Sequence, residues 1–135
     1  MQVNEIMSPR PLTLTPEQTL REAARVMRRI DSGFVPVGDG GRLVGTLTDR
    51  DIVINALAQQ KSAESPVSDA MTTEVLYCFE DQAVAEVARN MGAQQVRRLP
   101  VVNRDKRLVG IVSLGDLSRH GDPSAAGAAL EQISV

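Results

Sequence analysis

Two stretches of this sequence, Gly45-Thr46-Leu47-Thr48-Asp49-Arg50-Asp51 and Gly110-Ile111-Val112-Ser113-Leu114-Gly115-Asp116, determine how the rest of the chain is interpreted. Each contains a glycine, an apolar residue two positions later, then a hydroxyl residue, and an aspartate three positions after the hydroxyl. A hydroxyl followed three positions later by a carboxylate is typical of a capping box at the start of a helix. Each stretch therefore predicts a strand that ends and a helix that begins.

The alignment of these two stretches extends over most of the chain. With an offset of 64 residues at first, and of 65 after one inserted residue, many positions are identical or similar. Identical pairs include Met7 with Met71, Glu22 with Glu86, Met27 with Met91, Pro36 with Pro100, Gly45 with Gly110 and Asp51 with Asp116. The change of length falls where residues 38–41 stand opposite residues 102–106, and a hairpin turn tolerates such a change. The chain is therefore predicted to contain two copies of one structural unit.

Each copy is predicted to contain a short strand, a helix, a β-hairpin and a second helix. Apolar residues at helical spacing predict the first helix of each copy, and they are Leu20, Ala23, Ala24 and Met27, then Val84, Val87, Ala88 and Met91. Paired apolar runs at 34–37 and 43–47, and at 99–102 and 108–112, predict the hairpins. The second helices are predicted at 49–58 and 114–119, and Thr15, Pro16 and Gln18 predict the N-cap and first turn of the first helix.

We therefore predict an α/β (α+β) fold of two tandem β-α-β-β-α repeats, at residues 6–58 and 70–120. Residues 59–69 are the predicted linker, and the tail at 121–135 is expected to be frayed or to form a short helix at 128–133. One copy of about 50 residues buries little apolar area alone. The two copies are therefore expected to pack sheet to sheet with pseudo-two-fold symmetry.

This order of elements, together with the duplicated Gly-x-apolar-[Thr/Ser]-x-x-Asp pattern, resembles the CBS domain family over residues 6–120. The openings Ile6-Met7-Ser8 and Ala70-Met71-Thr72 support the resemblance. Within that family the chain is similar to small stand-alone bacterial proteins with a tandem CBS pair, or Bateman module, such as the hypoxic response proteins. The resemblance implies a regulatory sensor that binds adenosine-type nucleotides in the cleft between the repeats and signals to a separate effector protein.

Composition excludes several other classes of function. The net charge of −2 lacks the basic excess that binding to nucleic acid usually needs. One cysteine, Cys78, and one histidine, His120, provide neither a disulfide nor a Cys/His metal site within the chain. No apolar run is long enough for a signal peptide or a membrane span. We therefore expect a cytoplasmic protein that is not an enzyme, has no catalytic or metal-binding residues and requires no cofactor.

The residues of the duplicated motif suit a nucleotide. The Thr48 hydroxyl and the free N–H groups of the following helix could face a phosphate, and the Asp51 carboxylate could accept hydrogen bonds from both hydroxyls of a ribose. Arg50 adds a guanidinium that can pair with phosphate in a bidentate manner. Ser113 and Asp116 repeat the hydroxyl and carboxylate in the second copy.

The resemblance further implies an apolar slot for adenine beside each motif. Its expected lining is Met7, Gly33, Val35 and Pro36 in the first copy, and Met71, Leu99 and Pro100 in the second. The second copy differs, because Gly115 replaces Arg50 and the pair Arg97 and Arg98 replaces Gly33 and Phe34. These arginines could supply the positive charge from the hairpin side, so the two sites are expected to bind unequally. The expected ligand is AMP, ADP, ATP or another adenosyl compound.

Other interpretations of the same residues stay open. The two motifs are also plain N-capping boxes, so the chain could be a ligand-free structural adaptor that acts through a dimer surface. A hydrolase that uses Asp49 or Asp51 with a metal ion would require metal-dependent turnover. The resemblance implies a homodimer formed through the apolar faces of helices, and the expected residues are Leu20, Ala24, Met27, Ile52, Ile54 and Leu57.

Overall fold

The computed structural model describes residues 1–134, which form five α-helices and six strands. The helices are α1 (Leu20–Ile30), α2 (Asp49–Asn55), α3 (Val84–Gln94), α4 (Leu114–His120) and α5 (Pro123–Ser134). The strands are β1 (Ser8–Pro9), β2 (Phe34–Asp39), β3 (Arg42–Thr48), β4 (Cys78–Phe79), β5 (Arg98–Val102) and β6 (Leu108–Ser113). Short 3-10 helices lie at Val3–Glu5, Leu57–Gln59 and Val67–Asp69. The α/β class with two tandem repeats is confirmed.

The described chain divides into two compact units, and their boundaries do not follow the order of the sequence. The continuous unit contains Leu12–Val75, and the discontinuous unit combines Met1–Pro11 with the chain from Leu76 onward. The hairpin of β2 and β3 forms the sheet of the continuous unit, and the sheet of the discontinuous unit has the strand order β1-β6-β5-β4. β1 pairs antiparallel with β6, and β4 pairs parallel with β5. The N-terminal segment is therefore part of the second repeat's sheet.

The core of the continuous unit forms where α1 packs on its hairpin. Leu20, Ala23 and Met27 are spaced on one face of α1, and all three are buried. They pack with Val35, Val37 and Leu47 of the hairpin. The predicted strand at the start of this repeat is reduced to a parallel bridge, in which Leu14 pairs with Val37. Ala24 is exposed, so the buried stripe is narrower than expected.

The discontinuous unit has its own core, to which the first residues of the chain contribute. Val3 is fully buried and Ile6 nearly so, and both pack with Val87, Met91, Leu99 and Leu117. Backbone hydrogen bonds fix this segment, because the Val3 N–H donates to the Gln82 carbonyl at 3.0 Å. The first residues of the chain therefore complete the core of the second repeat.

Two helix boundaries differ from the sequence-based prediction. The N-cap of α1 is Thr19 rather than Thr15, because the Thr19 hydroxyl accepts from the Glu22 N–H at 3.1 Å. Thr15 and Gln18 form a separate turn, in which the Thr15 N–H donates to the Gln18 side chain at 2.9 Å. α2 ends at Asn55 and continues as a 3-10 turn instead of reaching residue 58.

The tail is a regular helix, longer than the predicted segment 128–133. The Asp122 carboxylate accepts from the Ser124 N–H at 3.0 Å and the Ala125 N–H at 3.2 Å, so it caps α5. Pro123 follows at the first helical position, where its missing N–H costs nothing. Close packing holds α5 in place, because a β-carbon at Gly92 of α3 would lie 3.2 Å from the Ala129 α-carbon. Val135 lies outside the described residues.

Candidate functional site

The capping box predicted at Thr48 is present at the start of α2. The Thr48 hydroxyl accepts from the Asp51 N–H, and the Asp51 Oδ2 accepts from the Thr48 N–H, both at 3.0 Å. Within residues 1–134, the second carboxylate oxygen, Asp51 Oδ1, accepts no hydrogen bond. Asp51 is half-buried. The side chain therefore caps its helix with one oxygen and keeps the other available to a ligand.

The second capping box has the same geometry, but its carboxylate accepts one more hydrogen bond. Asp116 Oδ2 accepts from the Ser113 N–H at 2.9 Å, and the Ser113 hydroxyl accepts from the Asp116 N–H at 3.0 Å. In addition, Arg119 Nη2 donates to Asp116 Oδ1 at 3.2 Å. The Asp116 side chain is 12% exposed, against 65% for Arg119. Both oxygens of Asp116 thus have partners, unlike those of Asp51.

The start of each hairpin is tied to the start of the following helix by one backbone hydrogen bond. The Asp49 N–H donates to the Gly33 carbonyl, and in the second repeat the Leu114 N–H donates to the Arg97 carbonyl, both at 2.9 Å. The Asp49 carboxylate lies directly over the Gly33 α-carbon, where a β-carbon would collide with it. The predicted equivalence of residues 33 and 97 is confirmed, and both hairpin starts lie beside their capping boxes.

The motif glycines receive the opening segment of the other repeat. A β-carbon at Gly45 would lie 2.9 Å from Met71 Sδ, and the adjacent Thr46 and Thr72 exchange backbone hydrogen bonds at 2.9 and 3.0 Å. In the same way, a β-carbon at Gly110 would lie 2.5 Å from Met7 Sδ. Met7 was expected beside Gly33 and Met71 beside Leu99. The structure exchanges them, because each opening segment pairs with the hairpin of the other repeat.

The apolar residues predicted to line the adenine slots lie in the interior. Val35 is fully buried and Leu99 is 1% exposed, and each belongs to the core of its own unit. Pro36 and Pro100, which follow them, are also buried. Their side chains fill the two cores, so contacts with a ligand at these positions would have to come from the backbone.

A cavity of about 560 Å3 lies in the discontinuous unit and contains three of the predicted site residues. Arg97, Arg98 and Ser113 line it, and so does Arg119 of α4. α5 contributes Pro123, Ala126, Gly127 and Leu130 to the lining. Asp116 does not line it among the described residues. Volumes of about 300–1,000 Å3 are usual for small-molecule sites.

Arg50 and Gly115 occupy equivalent positions with different surroundings. Arg50 is exposed, and its side chain makes no hydrogen bond or ion pair to any described residue. At Gly115, a β-carbon would lie 2.9 Å from Arg119 Nη1. The guanidinium missing from position 115 is therefore supplied from position 119, one turn further along α4.

Sequence reasoning did not include Arg119 or the wall formed by α5. The signal for Arg119 was its spacing, since Arg119 follows Asp116 by three residues and Gly115 by four, which places all of them near one another on a helix. The signal for α5 was Asp122-Pro123, a cap followed by proline at the first helical position.

Two features of the described residues bear on other functions. Nowhere in residues 1–134 do three or more His, Cys, Asp or Glu side chains come close enough to hold a metal ion together. No helix in the described part of the chain is both long and apolar enough to span a bilayer.

The sequence matches the profile of the CBS domain at residues 3–57 and again at 67–122. It is 39% identical over 133 residues to the CBS domain-containing protein YhcV of Bacillus subtilis, covering 98% of this chain and 94% of YhcV. It is 41% identical over 105 residues to hypoxic response protein 1 of Mycobacterium tuberculosis strain H37Rv, covering 76% of this chain and 73% of that protein. The expected similarity to small proteins with a CBS pair is confirmed.

Two similar solved structures were determined with adenosyl ligands. The CBS domain pair of protein MJ0100, in complex with 5′-methylthioadenosine and S-adenosyl-L-methionine, has a TM-score of 0.78 and 34% identity, covering 88% of this chain and 94% of that one. CBSX2 in complex with AMP has a TM-score of 0.77 and 25% identity, covering 99% and 98%. These two proteins of the same fold thus bind compounds that contain adenosine.

Proposed function

The chain belongs to the CBS domain family, with two tandem repeats, and on that basis we propose that it binds an adenosine-type nucleotide and signals to a separate partner protein. The CBS pair is a regulatory module. The proposed ligand is AMP, ADP, ATP or a related adenosyl compound, and no catalytic role is assigned to the chain.

The observation that carries this proposal is the repeated local arrangement at the two motifs. In each unit a 2.9 Å backbone hydrogen bond holds the start of the hairpin against the start of the second helix. This bond brings a hydroxyl, a carboxylate and the hairpin start to one place. Similar proteins with adenosyl ligands support the interpretation.

We assign roles in each unit separately. In the continuous unit, Asp51 Oδ1 would accept a ribose hydroxyl, and Thr48 and Arg50 would lie near the phosphate. In the discontinuous unit Ser113 and Asp116 take the equivalent roles, with Arg97 and Arg98 adding charge. Backbone atoms near the base are proposed for Gly33, Val35, Pro36, Leu99 and Pro100.

Isothermal titration of the full chain with AMP, ADP, ATP and S-adenosylmethionine tests the proposal, using Asp51→Asn and Asp116→Asn. Asparagine keeps one oxygen for the capping bond and replaces the other with a donor. The variant therefore removes the acceptor for the ribose hydroxyl without removing the cap of the helix. Loss of a charge-assisted acceptor costs about 1.5–3 kcal/mol, or about tenfold to a hundredfold in affinity. Asp39→Asn, at the far end of β2, is the matched control and should bind as wild type.

A ligand-free adaptor is the second candidate, because both capping boxes are complete without a ligand. Exposed apolar side chains would provide its contact surface, and they are Val53 (54% exposed), Ile54 (42%) and Leu57 (64%). Leu20 and Met27, expected on the same surface, are instead buried in their own core at 3% and 8%. Absence of heat with every nucleotide at millimolar concentration, from folded protein, would favour the adaptor.

We also propose that this exposed surface, Val53, Ile54 and Leu57, forms a homodimer contact. Light scattering coupled to size-exclusion chromatography should show a dimer at micromolar concentration, and Leu57→Glu should shift it towards monomer. Leu12→Glu, at an exposed leucine (49%) outside this surface, is the control. A wild-type monomer would contradict the proposal.

A further inference from the structure

The cavity of the discontinuous unit is bordered by positive charge. Three arginines line it, Arg97, Arg98 and Arg119, and no carboxylate does so among the described residues. The side chains of Arg97 and Arg98 are exposed and have no hydrogen-bond or ion-pair partner in the part of the chain that the structure describes. Arginine pairs with phosphate through a planar fork of donors. The cavity is therefore suited to a ligand with several negative charges.

Arg119 is the one of these arginines whose side chain has a partner among the described residues, and that partner engages a single donor. A single bond of 3.2 Å joins it to Asp116, and its side chain is 65% exposed. This bond uses one of the five N–H donors of the guanidinium. A phosphate group in the cavity could therefore pair with the donors that remain.

The continuous unit lacks this arrangement. In the repeat alignment the residue that corresponds to Arg119 is Ile54, and the residue that corresponds to Gly115 is Arg50. The glycine at 115 leaves the space in which the Arg119 guanidinium lies, as the 2.9 Å approach to a β-carbon there shows. The second repeat thus places an arginine guanidinium beside its motif glycine at 115, and the first repeat has no equivalent arrangement.

We infer that this cavity selects adenosyl ligands by the charge of their phosphates, with Arg119 as the specificity-determining residue. Nucleoside diphosphates and triphosphates bind there more tightly than uncharged or cationic adenosyl compounds. The reason is charge: a polyphosphate can pair with Arg119 and with Arg97 and Arg98, which line the same cavity. A ligand without phosphate makes none of these ion pairs. This inference rests on the function proposed above and specifies its ligand class at one site.

Gly127 allows the cavity to be filled without disturbing the protein. It lies on α5 in the cavity wall, and a β-carbon there meets no atom within 4 Å. Gly127→Leu places a side chain in the cavity, and it replaces a helix-interior glycine with a better helix former. Gly127→Ala improves the helix without filling the cavity and is its matched control. Thermal unfolding should show both variants at least as stable as wild type.

The test is isothermal titration of the full chain with ATP, ADP, AMP, adenosine and S-adenosylmethionine. Binding at the cavity is the component lost in Gly127→Leu and kept in Gly127→Ala. That component should be at least about tenfold tighter for ATP than for adenosine. Arg119→Leu should lower the affinity for ATP by about tenfold to a hundredfold and leave the affinity for adenosine unchanged. Arg89→Leu, an exposed arginine of the same unit outside the cavity lining, should bind like wild type.

Three results would overturn the inference. The cavity component could bind adenosine as tightly as ATP, ATP affinity could be unaffected by Arg119→Leu, or Gly127→Leu could remove no component of ATP binding. Inorganic tripolyphosphate separates this failure from that of the proposed function. If tripolyphosphate binds and Arg119→Leu weakens it, while no adenosyl compound binds, charge selection stands and the proposed function fails. If adenosyl compounds bind regardless of charge, the proposed function stands and this inference fails.

Discussion

The sulfur of Met7 lies against the α-carbon of Gly110, where a β-carbon would be 2.5 Å from the sulfur and 2.9 Å from the Ser8 carbonyl oxygen. The methionine could rotate away, but the carbonyl oxygen belongs to β1, which is paired with β6. The glycine of the motif is thus required by the close approach of a strand that is far away in sequence.

Gly110→Ala should therefore destabilise the protein by about 1–3 kcal/mol, the usual cost of overpacking. Urea denaturation measures it as a lower midpoint with an unchanged slope. Gly127→Ala, at an open helix position, should instead gain up to about 1 kcal/mol. Equal stability of wild type and Gly110→Ala would show that β1 does not pack on β6 as described.

Val3→Ala tests the contribution of the first residues to the second repeat. Val3 is fully buried in the core of the discontinuous unit, and removing two buried carbons should cost roughly 1.5–3 kcal/mol through lost burial and the remaining cavity. Chemical denaturation provides the value. Asn4→Ala, at an exposed residue of the same segment, should change stability by less than about 0.5 kcal/mol. A neutral Val3→Ala variant would mean that the N-terminal segment is not docked.

Thr19→Ala should destabilise α1 by about 0.5–2 kcal/mol, because the Thr19 hydroxyl caps the helix. Thr15→Ala is the matched control, since no described residue forms a hydrogen bond with the Thr15 hydroxyl. Its effect should stay within about 0.5 kcal/mol. Thermal unfolding of both variants decides the start of the helix, and a larger loss for Thr15→Ala would place it at the position predicted from sequence.

Because of Cys78, the free energy of unfolding should depend on pH in the alkaline range. Burial raises the pKa of its thiol to about 12 from an ordinary value of 9.0. Between these values the unfolded chain loses a proton that the folded chain keeps, so the free energy of unfolding falls as pH rises. The slope is about 1.4 kcal/mol per pH unit. Cys78→Ala lacks this component, so its stability should fall less steeply above about pH 9; parallel curves would contradict the prediction.

The repeat itself predicted much of the fold and part of the site. Aligning the two halves placed both capping boxes correctly, and it paired Gly33 with Arg97 at the hairpin starts. Hydrogen bonds between near neighbours in sequence, such as those of Thr48 with Asp51, follow from local spacing and were predictable.

Interactions between distant residues were not predictable in the same way. The repeat order suggested that Met7 belongs with the first hairpin, whereas it packs on Gly110 in the second. Nothing local distinguishes these pairings, because both hairpins carry the same glycine. The N-cap at Thr19 was missed because Thr15-Pro16 provided an equally good local signal, and Arg119 was missed because its role depends on the empty space at Gly115.

The division of the second repeat between both ends of the chain has a consequence for biosynthesis. Ser8 leaves the ribosome long before Ile111, its partner in the sheet, and at about 5–20 residues per second the delay is roughly 5–20 s. The continuous unit is complete in the nascent chain well before that. During this interval the core that buries Val3 and Ile6 has not yet been synthesised. The apolar side chains of the emerging N-terminus are therefore exposed, and a chaperone could bind them.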